Sequence, residues 1–159
     1  MKQLLVGLFL LLACSDESSS EWGGVPRAAD FDGEECAACA MIVREQPAPR
    51  GQVVHANGEH AYFCSVADML TYLTVASPHG EAVGVFVEVN DPSAEDPLAL
   101  DERPKPWLKA EDAAFVVGIE RARVMGRPVL VYRTRAEAAA IAERLDAETT
   151  DWDGLRAAN

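Results

Sequence analysis

The sequence predicts an α+β fold made of two β-β-α-β-like units in a pseudo-repeat. Strand-like apolar runs and a capped helical segment follow one another in the same order in both halves of the chain. A stretch rich in Pro, Asp and Glu, residues 90–106, separates the halves. The chain has 159 residues, of which 49% are hydrophobic and 25% charged, values typical of one globular domain.

The first half contains the clearest local signals. Three apolar-rich runs have the length of strands and cover residues 52–56, 59–64 and 83–89. Asn57-Gly58 lies between the first two runs and predicts a two-residue hairpin turn. Ser65, with Asp68 three residues later, predicts a capped helix that continues to about Ala76.

The second half repeats this order. Residues 113–119 and 128–132 are apolar runs that predict two strands. Thr134 and Glu137 form a capping box, and an apolar stripe at helical spacing follows it. We expect a final short strand near residues 149–155.

The N-terminal residues have the pattern of a lipoprotein export signal. A short basic region precedes an apolar run, residues 4–12, that is too short to span a bilayer. The run ends in the sequence LLAC, which resembles a bacterial lipobox, so Cys14 is the predicted lipidation site. We therefore expect a signal peptide over residues 1–13 and a lipidated flexible tether over 14–31. The domain would cover 32–159, with halves of about 32–90 and 106–155.

The charge of the chain bears on its partners. The formal net charge is -12, from 14 basic and 26 acidic side chains. Nucleic-acid binding requires a basic face, and anionic lipid attracts basic segments, so neither surface is an expected partner. Contact with the membrane is expected through the lipid anchor only.

Cys36, Cys39 and Met41 place two thiols and a thioether within six positions. Soft sulfur ligands select Cu(I), zinc or iron–sulfur clusters. Methionine is a poor ligand for zinc but a suitable one for Cu(I), and it needs no deprotonation to bind. The chain has four cysteines, so three remain after Cys14, an odd number for an exported protein.

Several other interpretations of the two cysteines stay open on the residues alone. Cys36 and Cys39 could form the active site of a thiol–disulfide oxidoreductase, a disulfide staple or part of a structural zinc site. A soft-metal detoxifying activity would need an acid near the thiols, for which Asp68 is a candidate. The chain contains no recognisable Ser-His-Asp set, catalytic carboxylate pair or phosphate loop, so we expect a non-enzymatic protein.

Candidate additional ligands lie further along the chain. Cys64 ends the second predicted strand, and Met125 lies in a predicted turn between two strands, where a core methionine is less expected. His55 and His60 flank the hairpin turn and are weaker candidates that are equally consistent with surface residues. Met69 lies on the apolar stripe of the first helix and is expected in the core.

These motifs together resemble the NosL family. The resemblance rests on the lipobox and on three segments, ECAACAMIV (35–43), PAPRGQ (47–52) and FCSVADML (63–70). Weaker similarities follow in the family's order, WLKA (107–110), AFVVG (114–118) and Met125-Gly126. The family usually has glycine at the position of Ala40.

The resemblance implies a copper chaperone anchored by lipid on the periplasmic side of the outer membrane. Its cargo would be Cu(I), held by Cys36, Cys39, Met41 and the distal Met125, with Cys64 as a further candidate ligand. Its partners would be nitrous oxide reductase, or another periplasmic copper acceptor, and an ABC-type maturation complex in the membrane. The implied fold is a pair of β-β-α-β units.

Overall fold

A computed structural model describes residues 24–47, 49–120 and 127–159. The elements are β1 (Gly51–His55), β2 (His60–Phe63), α1 (Val66–Tyr72), β3 (Ala82–Glu88), β4 (Trp107–Lys109), β5 (Ala114–Val117), β6 (Leu130–Tyr132), α2 (Arg135–Leu145), β7 (Glu148–Thr150) and α3 (Trp152–Ala157). Two short 3-10 turns, Val43–Glu45 and Ala110–Asp112, precede β1 and β5. None of the helices described is long and apolar enough to cross a membrane.

The two sheets have related topologies. The strand order is β2-β1-β3-β4 in the first sheet and β6-β5-β7 in the second, and all pairings are antiparallel. In each half the first strand therefore lies between the second and the third, with a helix before the third. The predicted α+β class and the pseudo-repeat of two β-β-α-β-like units are confirmed.

The β1–β2 hairpin has a loop one residue longer than predicted. The amide of His55 donates to the carbonyl of Glu59 (2.9 Å), and the amide of Gly58 donates to the carbonyl of His55 (2.8 Å). Residues 56–58 thus form a three-residue loop, with Gly58 at φ +85°. Such loops combine a β-turn with a positive-φ residue, for which glycine carries no steric cost, so Asn-Gly marks the hairpin without specifying the loop length.

The helix caps agree with the sequence. The amide of Asp68 donates to Ser65 Oγ at 3.0 Å, and both halves of the Thr134–Glu137 capping box form. Helix α1 ends at Tyr72, earlier than the predicted Ala76. The physical reason is that Val75 is exposed to solvent, so no burial supports a further turn of helix.

The structure differs from the predicted boundaries at three places: the end of the first half, the C-terminal strand and the tether. Strand β4 pairs with β3 of the first sheet, although it follows the predicted boundary at residue 106. The C-terminal strand covers residues 148–150 and not the predicted 149–155, because Asp151 accepts a hydrogen bond from the amide of Gly154 and caps α3. Within the predicted tether, Phe31 is buried and Ala29 exchanges two hydrogen bonds with the Gln52 side chain.

One hydrophobic cluster joins the two sheets. It contains Phe63 and Val87 of the first sheet with Phe115 and Val131 of the second, and it includes Met69, which confirms the expected core position. A second cluster lies between α2 and the second sheet. Cys36 and Cys64 belong to the first cluster, so the cysteines lie at the border of the main core.

Candidate metal centre

The Cys36–Met41 segment forms a closed loop. The amide of Cys36 donates to the carbonyl of Met41, and the amide of Ala40 donates to the carbonyl of Cys36, both at 2.8 Å. An antiparallel bridge between Glu35 and Ile42 closes the base of the loop. To reverse direction in so few residues, the backbone at Ala40 adopts φ +59°, the left-handed region that favours glycine.

Strand β2 brings a third cysteine to this loop. The amide of Ala37 donates to the carbonyl of Tyr62 at 2.9 Å, which docks the loop on the end of the strand. Cys64 follows β2 directly and precedes the cap residue of α1. Its sulfur lies 3.4 Å from the sulfur of Cys39. The strand-to-helix junction therefore places Cys64 against a motif that is 25 residues away in sequence.

The resulting group contains three thiols and one carboxylate. The sulfurs of Cys36, Cys39 and Cys64 and a carboxylate oxygen of Asp68 all lie within 4.8 Å of one another. All three cysteines are free thiols, so the described residues form no disulfide staple. Cys36 and Cys64 are buried, with 3% and 1% of their surfaces exposed, whereas Cys39 is exposed.

The two buried thiols have opposite electrostatic environments. Burial raises the pKa of Cys36, but hydrogen bonds from the amides of residues 64, 38 and 39 and from the Cys39 thiol outweigh it, so the pKa is lowered overall. Burial and the neighbouring thiols raise the pKa of Cys64 well above its ordinary value. The Cys64 thiol also points at Asp68 Oδ2, 3.5 Å away. The surroundings therefore ease ionisation of the Cys36 thiol and oppose ionisation of the Cys64 thiol, relative to an ordinary cysteine.

The remaining predicted site residues do not all join this group. Met41 is partly buried and packs against the main core cluster at the end of the loop. Met125 and the lipidation candidate Cys14 lie outside the described residues. The ligand roles of Cys36, Cys39, Cys64, Met41 and Met125 stay predictions.

The two histidines have other partners. His55 is buried, and its ring nitrogens lie 2.9 Å from the Gly80 carbonyl and 3.0 Å from the Tyr72 hydroxyl. The interpretation of His55 as a surface residue is wrong, because its ring packs against Tyr72 of α1, with the two ring centroids 5.8 Å apart. His60 Nδ1 lies 3.0 Å from Gln52 Oε1. Neither histidine is among the residues that surround the thiols.

Two features near the thiols were not established from the sequence. The first is the contact between the Asp68 carboxylate and the Cys64 thiol, since the spacing of Asp68 from Ser65 predicts only a cap partner of α1. The second feature is a buried ion network of Arg44, Arg50 and Glu88 beside the loop. No sequence pattern marked it, since charged residues are mostly exposed and their burial depends on tertiary contacts.

This arrangement can hold a soft metal ion. Three thiol sulfurs converge on one point, and two of them are fixed by the fold while the third faces solvent. Residues 37–39 form a turn, not the start of a helix, so the Cys-x-x-Cys motif lacks the usual setting of a redox dithiol. The donor set fits a thiophilic cation better than it fits Mg²⁺ or Ca²⁺, which prefer oxygen.

Comparisons with known proteins identify relatives that are named for copper binding. The chain is 28% identical over 136 residues to the "Copper-binding lipoprotein NosL" of Stutzerimonas stutzeri, covering 84% of this chain and 67% of the relative. It matches the crystal structure of "the copper chaperone NosL from Shewanella denitrificans" with a TM-score of 0.64 and 24% identity, over 80% of this chain and 93% of that one. The NosL family model matches residues 29–158. The chain is therefore a member of the NosL family.

Proposed function

We propose that this chain binds Cu(I) through Cys36, Cys39 and Met41, with Cys64 as a further ligand, and delivers it to a periplasmic acceptor. The convergence of the three thiols at one partly exposed point is the observation that carries the proposal. Three sulfur atoms suit Cu(I), which accepts incomplete sets of soft ligands. Met125 is retained in the proposal as a distal ligand.

The difference in exposure among the thiols gives the proposal a route for transfer. Cys36 and Cys64 are buried in the border of the core, while Cys39 lies on the exposed face of the loop. An acceptor would therefore reach the metal from the side of Cys39 and replace that ligand first. Each bond from copper to a ligand of the acceptor can form before the next bond to a ligand of this chain breaks, so no free copper ion is released.

The wider setting is also part of the proposal. The S. stutzeri relative is named a lipoprotein, which supports lipidation at Cys14. The lipid would attach the chain to the periplasmic side of the outer membrane. The acceptor would be nitrous oxide reductase or a related periplasmic cuproenzyme, assisted by an ABC-type maturation complex. The chain would act without catalysing a reaction, as a carrier whose cargo is copper.

Competition for Cu(I) against a chromophoric chelator tests the proposal. The full chain, reduced beforehand, is expected to withdraw one equivalent of Cu(I), and the Cys36→Ser/Cys39→Ser/Met41→Ala variant is expected to bind at least about 100-fold more weakly. Met41→Ala alone should also weaken binding, whereas a redox dithiol would tolerate that change.

The matched control is Met69→Leu, which alters a methionine of the core outside the thiol group. It should bind Cu(I) as the wild type does, since Leu and Met have similar volumes. Equal Cu(I) affinity of the wild type and the triple variant would contradict the proposal.

A further inference from the structure

A buried ion network lies beside the cysteine loop. Glu88 of β3 pairs with Arg50 through one carboxylate oxygen (2.9 Å) and with Arg44 through the other, and the side chains of Arg50 and Glu88 are fully buried. Arg44 also packs over the ring of Phe31, 4.2 Å from its centroid. Two cations share one anion here, and backbone carbonyls supply the remaining acceptors for Arg50.

Arg50 makes most of its hydrogen bonds to one short segment of backbone. Its Nε donates to the carbonyl of Val43 at 3.1 Å, and its Nη2 donates to the carbonyls of Arg44 and Gln46 at 3.0 and 2.7 Å. A further bond reaches the carbonyl of Asp101. The guanidinium thus holds the 3-10 turn Val43–Glu45, which follows the cysteine loop directly.

A continuous set of backbone bonds connects this turn to the thiols. The amide of Val43 donates to the carbonyl of Glu34 at 3.0 Å, and the next rung is the Glu35–Ile42 bridge. The bond from the amide of Cys36 to the carbonyl of Met41 follows. Fixing the turn therefore fixes the C-terminal leg of the loop, and through it the position of Cys36 and Met41.

We propose that Arg50 is a positioning residue for the thiol site, acting through the Val43–Glu45 turn and not by contact with the metal. Its planar guanidinium donates to three carbonyls of this segment at once, which the ammonium group of a lysine cannot do with the same geometry. The effect of Arg50 on metal binding rests on the proposed function, whereas its effect on the thiols of the metal-free chain does not. Arg50 keeps Cys36 buried and aligned with Cys64 in the metal-free chain.

Arg50→Lys separates the two roles of this side chain, since it keeps a positive charge beside Glu88 and loses the fork of hydrogen bonds to the turn. In the metal-free full chain we expect alkylation of Cys36 by iodoacetamide to accelerate about tenfold, because the loop opens more often. Cu(I) affinity should fall by about tenfold, as for other residues that orient ligands. Peptide mass spectrometry measures the alkylation rate of Cys36, and competition with a chelator measures the Cu(I) affinity.

The control is Ile141→Val or Ile141→Ala, whichever lowers the melting temperature as much as Arg50→Lys does. Ile141 lies in the second core cluster and makes no contact in the ion network. This control should leave the alkylation rate of Cys36 unchanged. Equal rates in Arg50→Lys and the control would show that Arg50 serves stability only and would overturn the inference.

Arg44→Lys provides a second variant in case Arg50→Lys does not fold. Its side chain is slightly exposed, and it also ties the turn to Glu88, so we expect a smaller acceleration in the same direction. A wild-type alkylation rate in folded Arg44→Lys would count against the inference. If the wild type binds no Cu(I), the proposed function fails, while the alkylation results still decide the role of Arg50.

Discussion

Replacement of Ala40 by glycine is expected to stabilise the fold, although a glycine substitution usually destabilises. Ala40 is exposed and sits at φ +59° in the tight return of the cysteine loop. An L-residue with a β-carbon pays about 1–2 kcal/mol to occupy this region. Glycine has no β-carbon and occupies the region freely.

The size of the effect follows from two opposing terms. Ala40→Gly removes the conformational strain of about 1–2 kcal/mol, and it adds about 0.4–1 kcal/mol of unfolded-state entropy that folding must overcome. The free energy of unfolding should therefore rise by about 0.5–1 kcal/mol, equivalent to roughly 1–4 °C in melting temperature for a chain of this size.

The assay is urea unfolding of the reduced full chain, with Ala38→Gly as the matched control. Ala38 is exposed in the same loop but lies outside the positive-φ region, so glycine there should destabilise by about 0.5–1 kcal/mol. The two substitutions should thus shift the unfolding midpoint in opposite directions. A lower midpoint for both variants would refute the strain argument.

Two further predictions concern parts of the fold away from the thiols. The pKa of Asp101 lies well below its ordinary value, mainly because the Arg103 side chain donates a hydrogen bond to the carboxylate. The ion pair therefore stabilises the fold fully above about pH 4, and this stabilisation is lost as the carboxylate of the folded chain is protonated at lower pH. Asp101→Asn should therefore destabilise at pH 7, and urea unfolding should show a smaller difference from the wild type at pH 3; a difference independent of pH would contradict this. Thr134→Ala removes the cap of α2 and should cost about 1 kcal/mol without changing Cu(I) affinity, and an unchanged free energy of unfolding would show that the cap contributes nothing.

The order of elements could be predicted because each signal is local. The Asn57-Gly58 turn, the Ser65 cap and the Thr134 capping box depend only on neighbouring residues, and all three occur as turns or caps in the structure. Strand β4 was not predicted, since three residues are too few to establish an alternating pattern. It is held in place by pairing with β3, which is a long-range contact.

The site could be predicted only in part for the same reason. Cys36 and Cys39 are only three positions apart in sequence, so their spacing identifies them, whereas Cys64 reaches them through the docking of the loop on β2. The burial of Arg50 and Glu88 depends on the packing of the turn against the sheet. The left-handed backbone at Ala40 could not be predicted either, since alanine is not a residue that marks a positive-φ position.

X-ray absorption at the copper edge of the Cu(I)-loaded full chain tests the central claim most directly. The proposal predicts a first shell of sulfur atoms only, and it predicts that Cys64→Ser removes sulfur from that shell or lowers its occupancy. Cys39→Ser should change the shell in the same way, since the Cys39 sulfur lies 3.4 Å from that of Cys64 and belongs to the same group. A shell dominated by nitrogen or oxygen, unchanged by substitution of the three cysteines, would contradict the proposal that the thiol cluster is the copper site.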